Sequence, residues 1–144
     1  MIYTDLNTEI DVGSSGHLIE FGPFKALVDC GLHPKRMGLS ALPNLSKIAP
    51  ETLDFIAITH THLDHCGALP VVARRQHAAH ILVADDSYEL LFRMLRNSRT
   101  VMAKQREEFN INEYPLFDYS AIDDLRARVT SMPFAHTRRY DING

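Results

Sequence analysis

The pattern of apolar residues in the first half of the chain predicts strands. Residues 17–21 (HLIEF) and 25–29 (KALVD) are two short apolar segments separated by a Gly-Pro turn signal, so together they predict a β-hairpin. Residues 53–59 (LDFIAIT) contain an uninterrupted apolar run at 55–58. Such a run is typical of a strand that is buried on both faces.

The strand at 53–59 is predicted to begin a βαβ unit. A helix is predicted over 68–77, where Pro70 is tolerated only in the first turn, and a further buried strand is predicted over 81–84. Two strands joined through a helix in this way are expected to be parallel, with a right-handed crossover. We therefore predict an α/β fold.

The second half of the chain is patterned mainly as helices. Apolar residues recur at helical spacing between 90 and 95, and a second helical stretch is predicted over 98–109. A further helix is predicted to end at residue 128 and to be followed by a strand over 129–134. The candidate N-caps are Asp85, Asp86 and Ser87 for the first of these helices and Asp118 or Ser120 for the last.

Length and composition fit one globular domain. The 144 residues are 45% hydrophobic and 23% charged, which are ordinary values for a chain that buries a core. No apolar run approaches the ~20 residues that cross a membrane, and the acidic N-terminus lacks the apolar segment of a signal peptide. With a formal net charge of −3, the chain as a whole is not basic, as a nucleic-acid-binding domain typically is. The net charge does not exclude a local basic patch.

The cysteine content favours a reducing compartment. Cys30 and Cys66 are too few for a disulfide framework. Without a secretion signal, both are expected to be reduced thiols in a cytoplasmic protein. A zinc-bound thiolate is conceivable for Cys66, but a small packing residue is the favoured interpretation of both.

Histidine is concentrated at one place. Three of the 8 histidines lie within residues 60–65, in the segment Thr-His-Thr-His-Leu-Asp-His-Cys-Gly that follows the predicted buried strand. Alternate residues of an extended chain point the same way, so His60 and His62 can present their imidazoles to one point. After the chain turns, Asp64 and His65 can face a second point nearby. Imidazole and carboxylate are the ligands of zinc, and of iron or manganese in oxygen-rich sites, so the segment predicts a metal centre at the end of a strand.

Two motifs in the sequence resemble those of a known family. His-Thr-His-Leu-Asp-His resembles the His-x-His-x-Asp-His signature of the metallo-β-lactamase fold. The following Cys-Gly-Ala-Leu-Pro is similar to the β-CASP branch, a group of RNA-processing nucleases. Residues 27–34 (LVDCGLHP) resemble the first motif of that branch, an Asp at the end of a strand followed by Cys-Gly. The resemblance spans about 13–134 and is specific at 27–34 and 59–70.

The resemblance implies a fold, a reaction and a set of ligands. The fold would be part of an αββα sandwich, and the reaction the hydrolysis of RNA phosphodiester bonds. His60 and His62 would bind one metal, Asp64 and His65 would bind a second, and Asp29 would orient the ligand loop. The two metals, zinc by default and manganese or iron otherwise, would share a bridging hydroxide that Asp64 helps to orient and that drives an in-line displacement.

Later motifs of the family are not found in the sequence. The family has a further ligand His in a later strand, an Asp that bridges both metals and a final His. The one distant downstream candidate, His136, lacks the glycine-flanked context and is interpreted as a loop histidine. Asn143-Gly144 is a hairpin-turn signal with no strand after it. We therefore expect residues 1–144 to be the N-terminal portion of a metallo-β-lactamase-like domain, without the β-CASP insertion and inactive alone.

Two other functions stay open at this point. A thioester, lactone or other small-molecule hydrolase of the same fold is disfavoured by Gly-Ala-Leu-Pro, because those branches more often have Gly-Gly after the motif. A non-catalytic metal-binding module is favoured by the missing motifs. It is opposed by the presence of all four ligand-type residues at 60–65.

Several other features are weaker candidates. The loop 13–16 could cradle a phosphate, although a simple turn is favoured, and His33 could approach the metals. Exposed apolar helix stripes would favour oligomerisation if they are not covered by the rest of the domain. A basic stretch could contact RNA phosphates, although a solvated helix face is favoured; it comprises Arg93, Arg96, Arg99, Lys104 and Arg106.

Overall fold

In the part of the chain that the structure describes, six strands form one mixed sheet in which they lie in sequence order. The computed structural model describes residues 1–7 and 13–141. The first three strands pair antiparallel, and the last four pair parallel. The strands are β1 (Ile2–Asp5), β2 (His17–Phe21), β3 (Phe24–Val28), β4 (Phe55–Ile58), β5 (His80–Ala84) and β6 (Val129–Met132).

Among the described residues, four α-helices and three short 3-10 helices connect the strands. Helix α3 packs against α1 and α4, and α2 packs against α4, so the helices contact one another as a layer. No helix in the described part of the chain has the length and apolarity that a membrane span requires. The helices are α1 (Leu63–Cys66), α2 (Leu69–Ala73), α3 (Tyr88–Phe109) and α4 (Tyr119–Arg128), and the 3-10 segments are Gly38–Ala41, Leu45–Lys47 and Asp85–Ser87.

The predicted α/β architecture is confirmed. Strands β2 and β3 form the antiparallel hairpin, and β4 and β5 are parallel neighbours joined through helices. Asp118 caps α4, since its carboxylate accepts a hydrogen bond from the amide of Ala121 at 2.9 Å. The turn signal at Asn143-Gly144 lies outside the described residues.

Several element boundaries differ from the predictions. Strand β1 was not predicted, because an edge strand with three exposed residues of four has no burial pattern to reveal it. The two helical stretches between 88 and 109 are one helix of 22 residues, since no breaker separates them. The candidate caps 85–87 form a 3-10 turn instead, and no side chain caps α3. The helix predicted over 68–77 ends at Ala73.

One face of the sheet forms the core. In β4 and β5 the buried residues alternate with more exposed ones, and the buried residues of β2 to β6 lie opposite one another in neighbouring strands. They join residues from the helices, such as Leu91 and Ile122, in one apolar cluster. The row that crosses the sheet consists of Leu18, Leu27, Ile56, Ile81 and Val129.

The opposite face of the sheet is only partly covered. Phe55 and Ala57 are half-buried, so the prediction that β4 is buried on both faces was wrong for the described structure. The ring of Tyr140 crosses this face and packs edge-on against Phe55 at 5.4 Å between centroids, and at 4.8 Å from His80. An apolar run therefore does not by itself show how many faces a strand buries.

A buried amide fixes the loop that leads into β4. Gln76 is 1% exposed. Its Oε1 accepts hydrogen bonds from the amides of Thr52 and Leu53 at 2.8 and 2.9 Å, and its Nε2 donates to the carbonyl of Ala49 at 2.7 Å. Arg128 donates to the carbonyls of Ala73 and Gln76. The end of α2 is thereby tied both to β4 and to α4.

We expect Gln76→Ala to lower the free energy of unfolding by about 3 kcal/mol, because one buried amide, one half-buried amide and one carbonyl lose their partner. The measurement is urea denaturation followed by circular dichroism. The exposed Lys104→Ala on α3 is the control and is expected to change stability by less than about 0.5 kcal/mol. Equal midpoints for the two variants would show that the Gln76 hydrogen bonds do not stabilise the fold.

Candidate metal centre

The histidine segment lies at the carboxyl end of β4. Residues 59–62 leave the strand and residues 63–66 form α1. The ring of His60 lies 3.9 Å from the ring of His65 and 4.8 Å from the ring of His62, measured between centroids. The fold thus gathers three imidazoles at the edge where parallel strands end.

The fourth ligand-type residue lies beside this cluster. One carboxylate oxygen of Asp64 is 3.7 Å from Nε2 of His65. Within residues 1–7 and 13–141, no three His, Cys, Asp or Glu side chains are arranged to hold a metal ion. The rings of His60 and His65 pack against each other, whereas ligands of one metal must point their nitrogens at a common centre. The division of the four residues between two metals therefore stays a prediction.

Asp29 contacts this segment from the neighbouring strand. It follows β3 directly, is 3% exposed and has a left-handed backbone with φ of 61°. Its carboxylate accepts hydrogen bonds from the amide of Thr59 at 2.8 Å and from Nδ1 of His65 at 2.8 Å. Because an ionised carboxylate only accepts, Nδ1 of His65 is the donor, and the neutral form of the ring then has its lone pair on Nε2.

Thr59 extends this arrangement to His60, and sequence reasoning missed it. The Thr59 hydroxyl donates to the Asp29 carboxylate at 2.8 Å and lies 3.1 Å from Nδ1 of His60. Since its one proton is used on Asp29, the hydroxyl accepts from Nδ1 of His60, and the neutral form of that ring then has its lone pair on Nε2. Two neighbouring imidazoles thus present a metal-binding nitrogen, so the donor chemistry of the cluster fits a metal such as zinc. The signal in the sequence was a hydroxyl residue directly before the first histidine.

A glycine lets the β3 loop approach the backbone of α1. A Cβ on Gly31 would lie 1.6 Å from the carbonyl oxygen of Asp64 and 2.7 Å from the amide nitrogen of His65. Around this contact, the amides of Cys30, Leu32 and Ser15 donate to the carbonyls of His65, Leu63 and Asp64, respectively, at 2.7 to 2.8 Å. The backbone of the candidate ligands is therefore held by residues 15 and 30–32, which only the fold brings together.

Both cysteines are buried beneath the histidine segment. Burial raises the pKa of the Cys66 thiol to about 12, with a further contribution from the negative charges of Asp29 and Asp64. Burial likewise raises the pKa of Cys30 well above its usual value. The Cys66 thiol donates to the carbonyl of Thr61 at 3.3 Å. Neutral, buried thiols agree with the interpretation of both residues as packing residues.

Three weaker candidates from the sequence are His33, His136 and the loop 13–16, and each has its own hydrogen bonds. His33 is 8% exposed, and its Nδ1 accepts from the amide of Lys35. His136 lies exposed in a loop, with Nδ1 donating to the carbonyl of Phe134. In the loop 13–16, the amide of Ser15 is already bonded to Asp64, so it is not available to a phosphate.

The basic stretch of α3 is partly neutralised. Arg96 forms an ion pair with Asp123, and the guanidinium of Arg99 lies 4.4 Å from the ring centre of Tyr119. On the same helix Leu91, Leu95 and Met102 are buried, whereas Leu90 and Val101 are 48% and 43% exposed. Arg93, Arg96, Lys104 and Arg106 are exposed, so most of the basic stretch lies on a solvated helix face, as the favoured interpretation held.

A family model matches most of the chain. The model described as "Metallo-beta-lactamase superfamily" matches residues 11–131. Among curated proteins, "Cleavage and polyadenylation specificity factor 73" of Drosophila melanogaster is 47% identical over 60 residues, which are 42% of this chain and 9% of that protein. "Endoribonuclease ysh1" of Schizosaccharomyces pombe is 37% identical over 73 residues, which are 51% of this chain and 10% of that protein.

The matches to curated relatives and solved structures are partial. The chain spans about a tenth of the length of the curated relatives it matches. A solved structure, human tRNase Z, short form, is similar over 67% of this chain and 40% of its own chain, with a TM-score of 0.44 and 22% identity.

We expect Gly31→Ala to displace α1 and to disrupt the histidine cluster, because the new methyl group meets backbone atoms that cannot move independently. The free energy of unfolding should fall by about 3 kcal/mol or more. Zinc binding, measured by competition with a chromophoric chelator, should weaken as well. The control is Gly22→Ala, where φ is 58° and no atom lies within 4 Å of the new methyl group; it should cost about 1 kcal/mol and leave zinc binding unchanged. A Gly31→Ala variant with unaltered zinc affinity would contradict this account.

Proposed function

Because this chain belongs to the metallo-beta-lactamase superfamily, we propose that it contributes the first ligand segment of a metal-dependent hydrolase that cleaves RNA phosphodiester bonds. The contact of the Asp29 carboxylate with His65 and Thr59 is the main support, since it orients two imidazoles for metal binding. The substrate class is inferred from relatives that are named as endoribonucleases. Residues 1–144 are proposed to be the N-terminal portion of the catalytic domain.

His60, His62, Asp64 and His65 would hold the metal ions. Zinc is the first choice because imidazoles dominate the set, and manganese or iron accept the same ligands. When bound, such a metal lowers the pKa of a bound water toward ~7 and stabilises the oxygens of an in-line displacement. The cytoplasmic location favoured by the cysteine content stays a prediction.

Side chains of this chain would have separate roles in orienting the metal ligands and the attacking water. Asp29 keeps the proton of His65 on Nδ1, and Thr59 does the same for His60, so both rings offer Nε2. Asp64 presents a carboxylate beside Nε2 of His65, where it can bind metal and orient the attacking water through a hydrogen bond. Removing Asp29 would leave the imidazoles free to change tautomer and orientation.

We expect the double substitution His60→Ala and His62→Ala to abolish tight zinc binding, because two of the four donors are lost. The measurement is elemental analysis of protein purified without chelator, together with EDTA-sensitive cleavage of a labelled RNA by the protein that contains this segment. The fold should survive, since neither ring belongs to the apolar core.

The matched control is His77→Ala with His136→Ala, two exposed histidines away from the cluster. It should keep both zinc and RNA cleavage. Unchanged zinc content in His60→Ala/His62→Ala would refute the ligand assignment. Zinc binding with hydrolysis of a thioester or lactone instead of RNA would favour the small-molecule hydrolase, and zinc binding without hydrolysis of any of these substrates would favour the non-catalytic module.

We expect Thr59→Val to weaken zinc affinity about tenfold, because partners of metal-binding histidines typically contribute 10- to 100-fold. Thr59→Ser keeps the hydroxyl and should keep the affinity within about twofold. Competition with a chelator measures both, and urea denaturation checks that the two variants are similarly stable. Equal zinc affinities of the Val and Ser variants would contradict the proposed role of the hydroxyl.

A further inference from the structure

A cavity of about 460 Å³ lies between α3 and the histidine segment. Its volume is within the range of about 300–1,000 Å³ that is usual for small-molecule sites. His62 and Asp64 line one side of it, so the cavity opens directly beside the candidate ligands. His60 and His65 are not among its lining residues.

One face of α3 supplies the opposite wall. Met94, Ser98, Val101 and Met102 recur at three- and four-residue intervals, which places them on one side of the helix. With Leu63 from α1 they make the cavity wall mainly apolar. Flexible methionine side chains suit contact with a flat aromatic ring, because a thioether packs favourably against such rings.

Neutral amides lie along the same helix face. Asn97 and Gln105 both line the cavity, and their separation of eight helical positions corresponds to about 12 Å. A base with its attached ribose is an elongated group with hydrogen-bonding atoms at both ends. Among the described lining residues, Arg36 and Asp64 are the only Asp, Glu, Lys or Arg residues. A mainly apolar wall with amides along it suits a neutral, ring-containing ligand better than a highly charged one.

We propose that this cavity binds one nucleoside unit of the RNA, next to the phosphodiester that is cleaved at the metal centre. The ring faces of the base contact Met94 and Met102, and the amides of Asn97 and Gln105 hydrogen-bond to the base edge and the ribose hydroxyls at the two ends. This inference rests on the proposed RNA-cleaving function. It adds a binding site for the nucleoside beside the metal ligands.

The test uses free adenosine, which has no phosphate and therefore has little affinity for metal ions. Adenosine is titrated into the 144-residue chain, and binding is followed by NMR at the side-chain amides of Asn97 and Gln105 and the methyl groups of Met94 and Met102. We expect saturable shifts at these groups, and none with ribose alone.

Gln105→Ala should weaken adenosine binding about tenfold, which corresponds to the ~1.4 kcal/mol of one hydrogen bond. Val101→Trp should abolish it by filling the cavity from a residue that is 43% exposed.

Two controls make the result decisive. Lys104→Ala lies on the same helix outside the cavity and should not change adenosine affinity. His60→Ala with His65→Ala should lose zinc yet bind adenosine normally, so failure of the metal centre and failure of the cavity are distinguished. The absence of saturable shifts at the cavity residues would overturn the proposal. This holds also where the shifts are absent because a protein segment occupies the cavity. Unaltered affinity in both Gln105→Ala and Val101→Trp would overturn it as well.

Discussion

The candidate site depends on the contact between the Asp29 carboxylate and the segment that follows β4. Strands β3 and β4 are parallel neighbours in which Val28 lies opposite Ala57, so residues 29 and 59 leave the sheet at the same edge. The amide of Asp29 continues the ladder by donating to the carbonyl of Ala57 at 2.9 Å. The left-handed backbone at Asp29 ends the strand there, and the carboxylate meets Thr59 and His65. The pairing of β3 with β4 therefore also determines how the Asp29 carboxylate is oriented toward Thr59 and His65.

A second constraint comes from close backbone packing. The absence of a side chain at Gly31 lets the amides of Cys30 and Leu32 hydrogen-bond to carbonyls of α1, a helix too short to be stable on its own. Helix α1 is thus held by its neighbours, which explains why its sequence alone does not predict it. The same packing buries both cysteines and keeps their thiols neutral.

The long helix α3 connects the core to the candidate site. Leu91 and Leu95 anchor it in the apolar cluster, and the face with Met94, Val101 and Gln105 borders the cavity. Because one rigid helix supplies both faces, the position of the cavity relative to His62 and Asp64 is determined by core packing. On the outer side of the helix, Arg96 and Arg99 contact Asp123 and Tyr119 of α4.

The sequence by itself predicted the α/β class, the hairpin and the parallel pair, because hydrophobic alternation and turn residues are local signals. It also identified His60, His62, Asp64 and His65 as one cluster, since four ligand-type residues lie within six positions. Edge strand β1 and the half-open face of the sheet were decided by pairing and packing between distant residues. The same is true of the Asp29–Thr59–His60 hydrogen bonds and of the approach of Gly31 to α1. Asp29 and Thr59, and likewise Gly31 and Asp64, are about thirty positions apart in the sequence. They come into contact only when parallel strands bring their ends to a common edge of the sheet.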